Sequence, residues 1–446
     1  MSTRGERTAL NTSTVTAAPT KASEFRRGWP VLTSAIFGIA FGLSPMPFYT
    51  MGIFAPILAR EFHWTFAQIF AGLTCTSAAV IFASPVVGLT ADRIGVRPVA
   101  LTSVALFGLC FMGVGLSSGS LPLYYFTWVM IAVLGTGTLP ITWTRAVNDC
   151  FESGKGLALG LSLLGTGLFG FLIKPLAAWF IAEFGWRGAY VAIGALPLLI
   201  ALPIGLMFFR DPGRGSNESA NRAAAASRPR AVRTEGLTLR ETLSEWRFWL
   251  LSSCFIAVAF AIGGLIPNME NMLRLSGFTH ENIVFLTSLI GLSVIVGRVL
   301  GGWLMDRLWA PAVAAVILGA PAAGCLILAA PVVSDRGAML SIFLIGLAAG
   351  AEYDLLAFMV ARYFGMKSYS GIYGVLYSCY ALGAGVGPVA FGARFDRTHS
   401  YSESLHIAMA LFLVPSLLML SLGPYRKFKS VESGVVLAED ASRSGG

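Results

Sequence analysis

Charged residues are scarce in this sequence. Asp, Glu, Lys and Arg make up 12% of its 446 residues, whereas a typical soluble domain has about 25%. Hydrophobic residues make up 55% of the chain, and the mean hydropathy is +0.71. Many apolar runs reach the length of roughly 20 residues that a helix needs to cross a bilayer. This composition excludes a soluble globular protein and predicts an integral membrane protein.

The patterns of common catalytic and metal sites are also missing. The six cysteines form no CxxC pair, and the four histidines have no metal-ligand spacing. No HExxH motif occurs. No apolar core with a cleavage site follows the polar residues 1–29, so we expect no signal peptide. The sequence therefore predicts neither an enzyme nor a bound cofactor or metal.

Twelve apolar runs form two groups of six. The predicted organisation is a tail at 1–29, a six-helix bundle at 30–209, a linker at 210–247, a six-helix bundle at 248–424 and a tail at 425–446. Backbone polar groups cannot stay unpaired in lipid, so the runs must be helices. The predicted fold class is an all-α membrane protein with 12 transmembrane helices.

Lys and Arg are unequally shared between the two sides of this bundle. With the N-terminus inside, 23 of the 32 basic residues fall in the tails and inside loops, and six fall in outside loops. Cytoplasmic segments carry such an excess, so both termini and the linker are predicted to be cytoplasmic. The net charge of +9 then needs no nucleic-acid partner. We expect the linker to be a solvated tether that ends in a short interfacial helix.

The two groups of six repeat one another at a steady offset of 213 or 214 residues. The matched pairs are Asp92 and Asp306, Arg93 and Arg307, Thr65 and Thr279, and Pro175 and Pro388. Six helices return the chain to its starting side, so both copies have the same orientation. This arrangement is typical of a transporter whose substrate site lies between two halves near the midplane.

The segment "GLTADRIGVR" at 88–97 resembles the signature loop of the major facilitator superfamily. The matching residues are Gly88, Asp92, Arg93, Gly95 and Arg97, with Asp306 and Arg307 in the second copy. Glycine permits a sharp turn, and arginine favours the cytoplasmic side. The resemblance implies the major facilitator fold, with two pseudo-symmetric six-helix bundles, and gives this loop a gating role.

Longer segments resemble the monocarboxylate-porter-like and oxalate-carrier-like members of that superfamily. They include "CFESGKGLALGLSLLGTGLFG" at 150–170 and "GAEYDLLAFMVARYFG" at 350–365. The resemblance implies a bacterial inner-membrane carrier that moves a mono-, di- or aromatic carboxylate by alternating access, in symport with protons. Its partners would be the organic anion, H+ and membrane lipid, and it would work as a monomer.

Arg298 lies where lipid should exclude a charge. It stands eight residues before Asp306, about 12 Å into the eighth helix, and a charge near the bilayer centre costs roughly 3 kcal/mol or more. A guanidinium group matches a carboxylate with two hydrogen bonds. By the resemblance, Arg298 is the substrate-binding arginine. The alternative is a structural arginine that pairs with a carboxylate on a neighbouring helix.

Three further charged residues lie inside predicted spans. Glu352 and Asp354 are roughly 15 and 12 Å deep and, being two residues apart, point to different faces. Either is a candidate proton-coupling group, or both are structural. Lys174 precedes Pro175 in the fifth span. It is a candidate second contact for the anion, unless its long stem carries the charge outward to the membrane surface.

Aromatic residues in the spans are candidate walls of a substrate site for a flat or aromatic acid. They are Tyr49, Trp143, Tyr377 and Tyr380. Packing between helices is the alternative role for such residues. The alternative function is an exporter or carrier of a neutral or amphipathic solute on the same scaffold. A membrane enzyme or sensor is disfavoured, because the sequence has neither a catalytic set nor a soluble signalling domain.

Overall fold

A computed structural model describes residues 21–151, 155–209, 236–365 and 367–426. This part of the chain is helical, and its extended pairing is a single isolated bridge between Gly236 and Gly365. The predicted all-α fold class is confirmed. The predicted N-terminal tail, linker and C-terminal tail fall largely outside the described residues.

Helices of the first half run from residue 21 to residue 208. They are α1 (Lys21–Ala40), α2 (Pro45–Phe62), α3 (Phe66–Ile94), α4 (Val96–Gly113), α5 (Leu121–Gly135), α6 (Pro140–Cys150), α7 (Lys155–Leu196) and α8 (Leu202–Phe208). Short 3-10 segments follow α4 and α5, and a π-helical segment joins α7 to α8.

Helices of the second half run from residue 239 to residue 418. They are α9 (Leu239–Leu243), α10 (Trp246–Leu275), α11 (His280–Met305), α12 (Ala310–Gly319), α13 (Pro321–Leu328), α14 (Asp335–Phe364), α15 (Tyr369–Thr398) and α16 (Ser402–Leu418). A 3-10 turn follows α16.

The described helices account for twelve membrane spans. Eleven segments are long and apolar enough to cross a bilayer, and one of them, 157–208, has 52 residues. A helix of that length would measure about 78 Å, more than twice the hydrocarbon thickness of about 30 Å. Gly185 breaks it with φ 66 and ψ 175, a conformation that glycine adopts without steric cost. The segment is therefore two spans, and the predicted number of twelve is confirmed.

Two spans of the first half are interrupted near their middles. The first span breaks between α1 and α2, and the fourth breaks between α5 and α6. Pro45 and Pro140 begin the new helices, where the missing N–H of proline is no loss. The breaks contact each other, because the backbone N–H of Leu43 donates to Thr138 Oγ1 at 2.8 Å.

Thr65 and Thr279 hold equivalent positions in the two halves. Thr65 caps α3 by accepting a hydrogen bond from the N–H of Gln68. Thr279 caps α11 in the same way, through the N–H of Asn282. Each threonine therefore starts the second span of its half, at the offset of 214 residues that the sequence predicts.

The short helix predicted before the seventh span is α9. Its cap is reciprocal, since Thr238 and Glu241 each accept a hydrogen bond from the backbone N–H of the other. The hydrogen bond from the Thr238 backbone holds the pKa of the Glu241 carboxyl below its ordinary value. Trp246 and Trp249 follow and are more than half exposed, which is typical of tryptophan at the membrane–water interface.

The two halves are joined at one end of the bundle, which we name the closed end; it contains the connections at 63–65 and 399–401. Asp396 of the second half accepts hydrogen bonds from the backbone N–H groups of Phe66 and Ala67, each at 2.9 Å. The opposite end, which contains the connections at positions 95 and 306–309, is named the open end.

The halves diverge towards the open end. At the closed end, Thr74 donates to the carbonyl of Gly385 at 2.6 Å, and a Cβ added to Gly167 would lie 2.7 Å from a carbonyl oxygen of α11. Gly374 and Gly160 lie on the same helix faces as Gly385 and Gly167, about three and two turns away. A Cβ added to either would meet nothing within 4 Å.

Candidate functional site

A cavity of about 160 Å³ lies between the two halves. The first half contributes residues of α2, α3 and α7 together with the breaks in its first and fourth spans. The second half contributes residues of α10, α11, α14 and α15. Most of these side chains are apolar or aromatic, and a few polar groups converge among them. Such a concave, largely apolar site with few polar groups is typical of small-molecule binding.

Arg298 of α11 brings positive charge to the cavity wall. The residue is 8% exposed, and its Nη1 lies 3.4 Å from Oδ1 of Asp354. That distance is long for a hydrogen bond between charged groups. Its Nε is buried and has no hydrogen-bond partner among the described residues. The guanidinium therefore keeps an unpartnered N–H while Asp354 balances its charge.

Glu352 of α14 lies in the same wall. The Tyr380 hydroxyl donates to its Oε1 at 2.5 Å, and its buried Oε2 has no partner among the described residues. Glu352 and Asp354 thus face different partners, as their spacing on the helix predicts. The cavity wall therefore combines an acceptor on Glu352 with a donor on Arg298, and neither has a hydrogen-bond partner among the described residues.

Tyrosines line α15 from the open end to the cavity. The rings of Tyr369, Tyr373, Tyr377 and Tyr380 are stacked, with successive centroids 5.8 to 6.1 Å apart. Tyr377 and Tyr380 reach the cavity, and so does Tyr49 of α2. Three of the four aromatic residues predicted from the sequence therefore meet at this site.

Trp143 and Lys174, the other two predicted contacts, lie outside the cavity wall. Trp143 is fully buried; its ring lies 4.7 Å from that of Phe209, and its Nε1 donates to the Thr138 carbonyl at 3.2 Å. Lys174 is buried in an ion pair with Glu270. In this state both side chains pack within the protein.

The signature loop of the first half is a single-residue turn. Gly95 separates α3 from α4 with φ 97, a value that favours glycine. The guanidinium of Arg97 donates to a backbone carbonyl of α8 at 2.8 Å, whereas Arg93 and Gly88 are exposed. The side chain of Asp92 lies outside the described part. The loop is at the open end, away from the cavity.

Its second copy is a looser connection of four residues between α11 and α12. Asp306 and Arg307 are exposed, and the Arg307 guanidinium lies 4.2 Å from the centroid of the Trp303 ring. Trp309 stands where the first copy has its turn-forming glycine, so the chain takes more residues to reverse.

Glu270 and Tyr353 were not predicted from the sequence as site residues. Glu270 lies near the end of the first apolar run of the second half, and α10 continues beyond it to Leu275, so Glu270 is in the buried interior. The apolar residues Met269 and Met272 beside it were the sequence signal that the buried helix continues past Glu270. Tyr353 also lines the cavity, with its ring centroid 4.7 Å from that of Tyr380.

The family model for the Major Facilitator Superfamily matches residues 33–388. The chain belongs to the major facilitator superfamily. It is 25% identical to monocarboxylate transporter 13 of Bos taurus, over 91% of this chain and 92% of that one. It is 23% identical to the probable sulfoacetate transporter of Cupriavidus necator, over 84% and 89%. The predicted resemblance to this superfamily and to its monocarboxylate porters is confirmed.

A solved structure gives the same fold. The bacterial homolog of the human lysosomal transporter Spinster, in its inward-facing and occupied conformation, matches with a TM-score of 0.65 and 17% identity. The match covers 91% of this chain and 97% of that one. At this identity the likeness establishes the major facilitator fold and nothing further. The chain is therefore a multi-pass membrane protein of a transporter superfamily.

Proposed function

We propose that this major facilitator protein carries a small organic anion by alternating access, in symport with protons. The observation that supports this most directly is Arg298, a buried guanidinium in the wall of the central cavity with an unpartnered Nε. Charged residues at membrane depth mark substrate pathways. The named relatives, monocarboxylate transporters and a probable sulfoacetate transporter, also point to an organic anion.

Glu352 is the group that we assign to proton coupling. It lies in the same cavity wall as Arg298, and carboxyl groups inside transporters form proton relays. Its Oε2 has no partner among the described residues, so a proton or a donor group of the solute has a free acceptor. Asp354 pairs with Arg298 and is the second candidate.

The distribution of basic residues supports the orientation. With both termini cytoplasmic, the open end faces the cytoplasm and the closed end faces outside. We also propose that the chain works as a monomer in the cytoplasmic membrane of a bacterium, without a cofactor or a nucleic-acid partner, and that it catalyses no chemical conversion.

A carrier of a neutral or amphipathic solute is the second candidate function. The observation that favours it is the apolar and aromatic part of the cavity wall, which includes Phe48, Leu73 and Val80. The two candidates differ in what they require of Arg298, because a neutral solute does not need a buried positive charge.

The test is uptake of a panel of radiolabelled carboxylates and sulfonates into membrane vesicles, with and without a protonophore. We expect Arg298→Ala to lower uptake of the cognate anion at least tenfold, since truncating one partner of a buried charge pair typically costs 2–5 kcal/mol. The matched control is Arg336→Ala, which removes an exposed arginine at the closed end. Unchanged uptake in Arg298→Ala would reject the anion site and favour the second candidate.

A further inference from the structure

Lys174 of α7 and Glu270 of α10 form an ion pair that joins the two halves. Their side chains are 1% and 7% exposed, so both charges are shielded from water. Neither residue belongs to the wall of the central cavity. The pair is therefore a second charged centre, distinct from the group around Arg298.

Each buried charge of this pair is neutralised by the other. Lys174 Nζ donates to Glu270 Oε1, and Glu270 Oε2 has no hydrogen-bond partner among the described residues. A buried charge is tolerated in a membrane protein when an opposite charge pairs with it. Here the two opposite charges come from different halves, so the pairing lasts only while α7 and α10 touch.

The surroundings of the pair belong to the closed end. A Cβ added to Gly52 of α2 would collide with the Glu270 carboxylate and lie 2.6 Å from the Pro267 carbonyl, so glycine is what lets α2 approach α10 here. Tyr49, less than one turn earlier on α2, packs against Gly170 of α7 and lines the cavity. The Tyr49 ring therefore marks the boundary between the cavity and the ion pair.

We infer that Lys174 and Glu270 neutralise each other's charge when the closed end is shut, and that this ion pair must separate whenever that end opens. Water replaces each partner on opening, so neither charge is left bare in the open conformation. Neutralising one partner leaves the other charge buried and unpaired, but only in the closed conformation. The population therefore shifts towards the open conformation. This inference rests on the alternating access of the proposed function, and it makes Lys174 a positioning residue.

Distances between spin labels test this without any solute or proton gradient. The labels are placed at Arg60→Cys and Arg397→Cys, which are exposed at the ends of α2 and α15, in a background whose six native cysteines are replaced. We expect Glu270→Gln or Lys174→Met to raise the ratio of long to short distances at least tenfold. The double variant Lys174→Met/Glu270→Gln returns to the parent distribution, because no buried charge remains.

The matched control is Glu403→Gln, which breaks an exposed ion pair with Arg394 inside the second half. It is expected to leave the distances unchanged. Parent-like distances in both single variants, or a double variant as open as the singles, would overturn the inference. If a single variant does not accumulate in the membrane, recovery of accumulation in the double variant supports the pairing, and no recovery overturns it. A failed uptake assay affects only the proposed function.

Discussion

The charged groups of the cavity divide into two local arrangements. Arg298 has Asp354 at 3.4 Å and an unpartnered Nε, so its charge is balanced while its donors remain available. Glu352 has a short hydrogen bond from Tyr380 and an unpartnered Oε2. A carboxylate that only balanced charge would need no free acceptor in the cavity. This difference is why we propose an anion-binding role for Arg298 and a proton-carrying role for Glu352.

We predict that Glu352→Gln uncouples transport from the proton gradient. The amide keeps the shape of the side chain but cannot take up and release a proton, so counterflow exchange of the anion should persist while proton-driven accumulation falls to equilibrium. Vesicle uptake with and without an imposed pH gradient measures both. Asp354→Asn is the matched comparison. It leaves Arg298 without its partner, so both rates fall, but the ratio of accumulation to counterflow should stay at the parent value; the reverse outcome would assign the proton to Asp354.

Charge was the feature that sequence analysis could use at the residue scale. Arg298, Glu352 and Asp354 were identifiable because lipid makes an unpaired charge expensive, and the structure brings all three together. Trp143 was not distinguishable from Tyr49, because an aromatic ring is equally favourable in a packed interior and in a cavity wall. Their separation depends on which helix face meets the opposite half, and one sequence does not reveal that.

At the scale of elements, the start of α3 shows how a residue of one half caps a helix of the other. The first N–H groups of a helix have no partner within the helix. Here Asp396 accepts from Phe66 and Ala67, and Thr65 accepts from Gln68. Two of the three bonds therefore come from the opposite half, and under the proposed alternating access they are exchanged for bonds to water when the closed end opens.

We predict that Asp396→Ala weakens the closed end. Loss of a capping side chain costs about 1–2 kcal/mol, which corresponds to roughly a 5- to 30-fold shift between conformations. The readout is the rate at which a membrane-impermeant maleimide, added at the closed end, modifies Ser77→Cys in the cavity wall. The control Glu281→Gln neutralises an exposed acid in the first turn of α11; an equal rate in both variants would contradict the prediction.

Element boundaries were only partly predictable. The number of spans follows from apolar length, and the turn at Gly95 follows from its glycine. The breaks before Pro45 and Pro140 were missed, since a run that stays apolar gives no hydropathy signal where its helix is interrupted. The hydroxyl of Thr138 stabilises both breaks, because it accepts a hydrogen bond from the backbone N–H of Leu43, a contact made by tertiary structure.

At the scale of the whole molecule, the two halves meet at the closed end and diverge at the open end. This shape suits a carrier, since two rigid bundles that rock about a central site expose it to one side at a time. The rocking requires surfaces that meet closely in one state and part in the other. Small residues allow such close contacts between helices. On one face of α7, Gly167 contacts the opposite half and Gly160 does not.

Gly167→Leu and Gly160→Leu test that requirement. A Cβ at position 167 would lie 2.6 Å from the Ile295 side chain in the opposite half, whereas a Cβ at position 160 would meet nothing within 4 Å. We predict that Gly167→Leu prevents the closed end from shutting and raises at least tenfold the rate at which a membrane-impermeant maleimide, added at the closed end, modifies Ser77→Cys. Gly160→Leu should not raise that rate, because position 160 meets the opposite half only when the open end closes. Equal rates in the two variants would show that close approach of α7 to α11 does not shut the closed end.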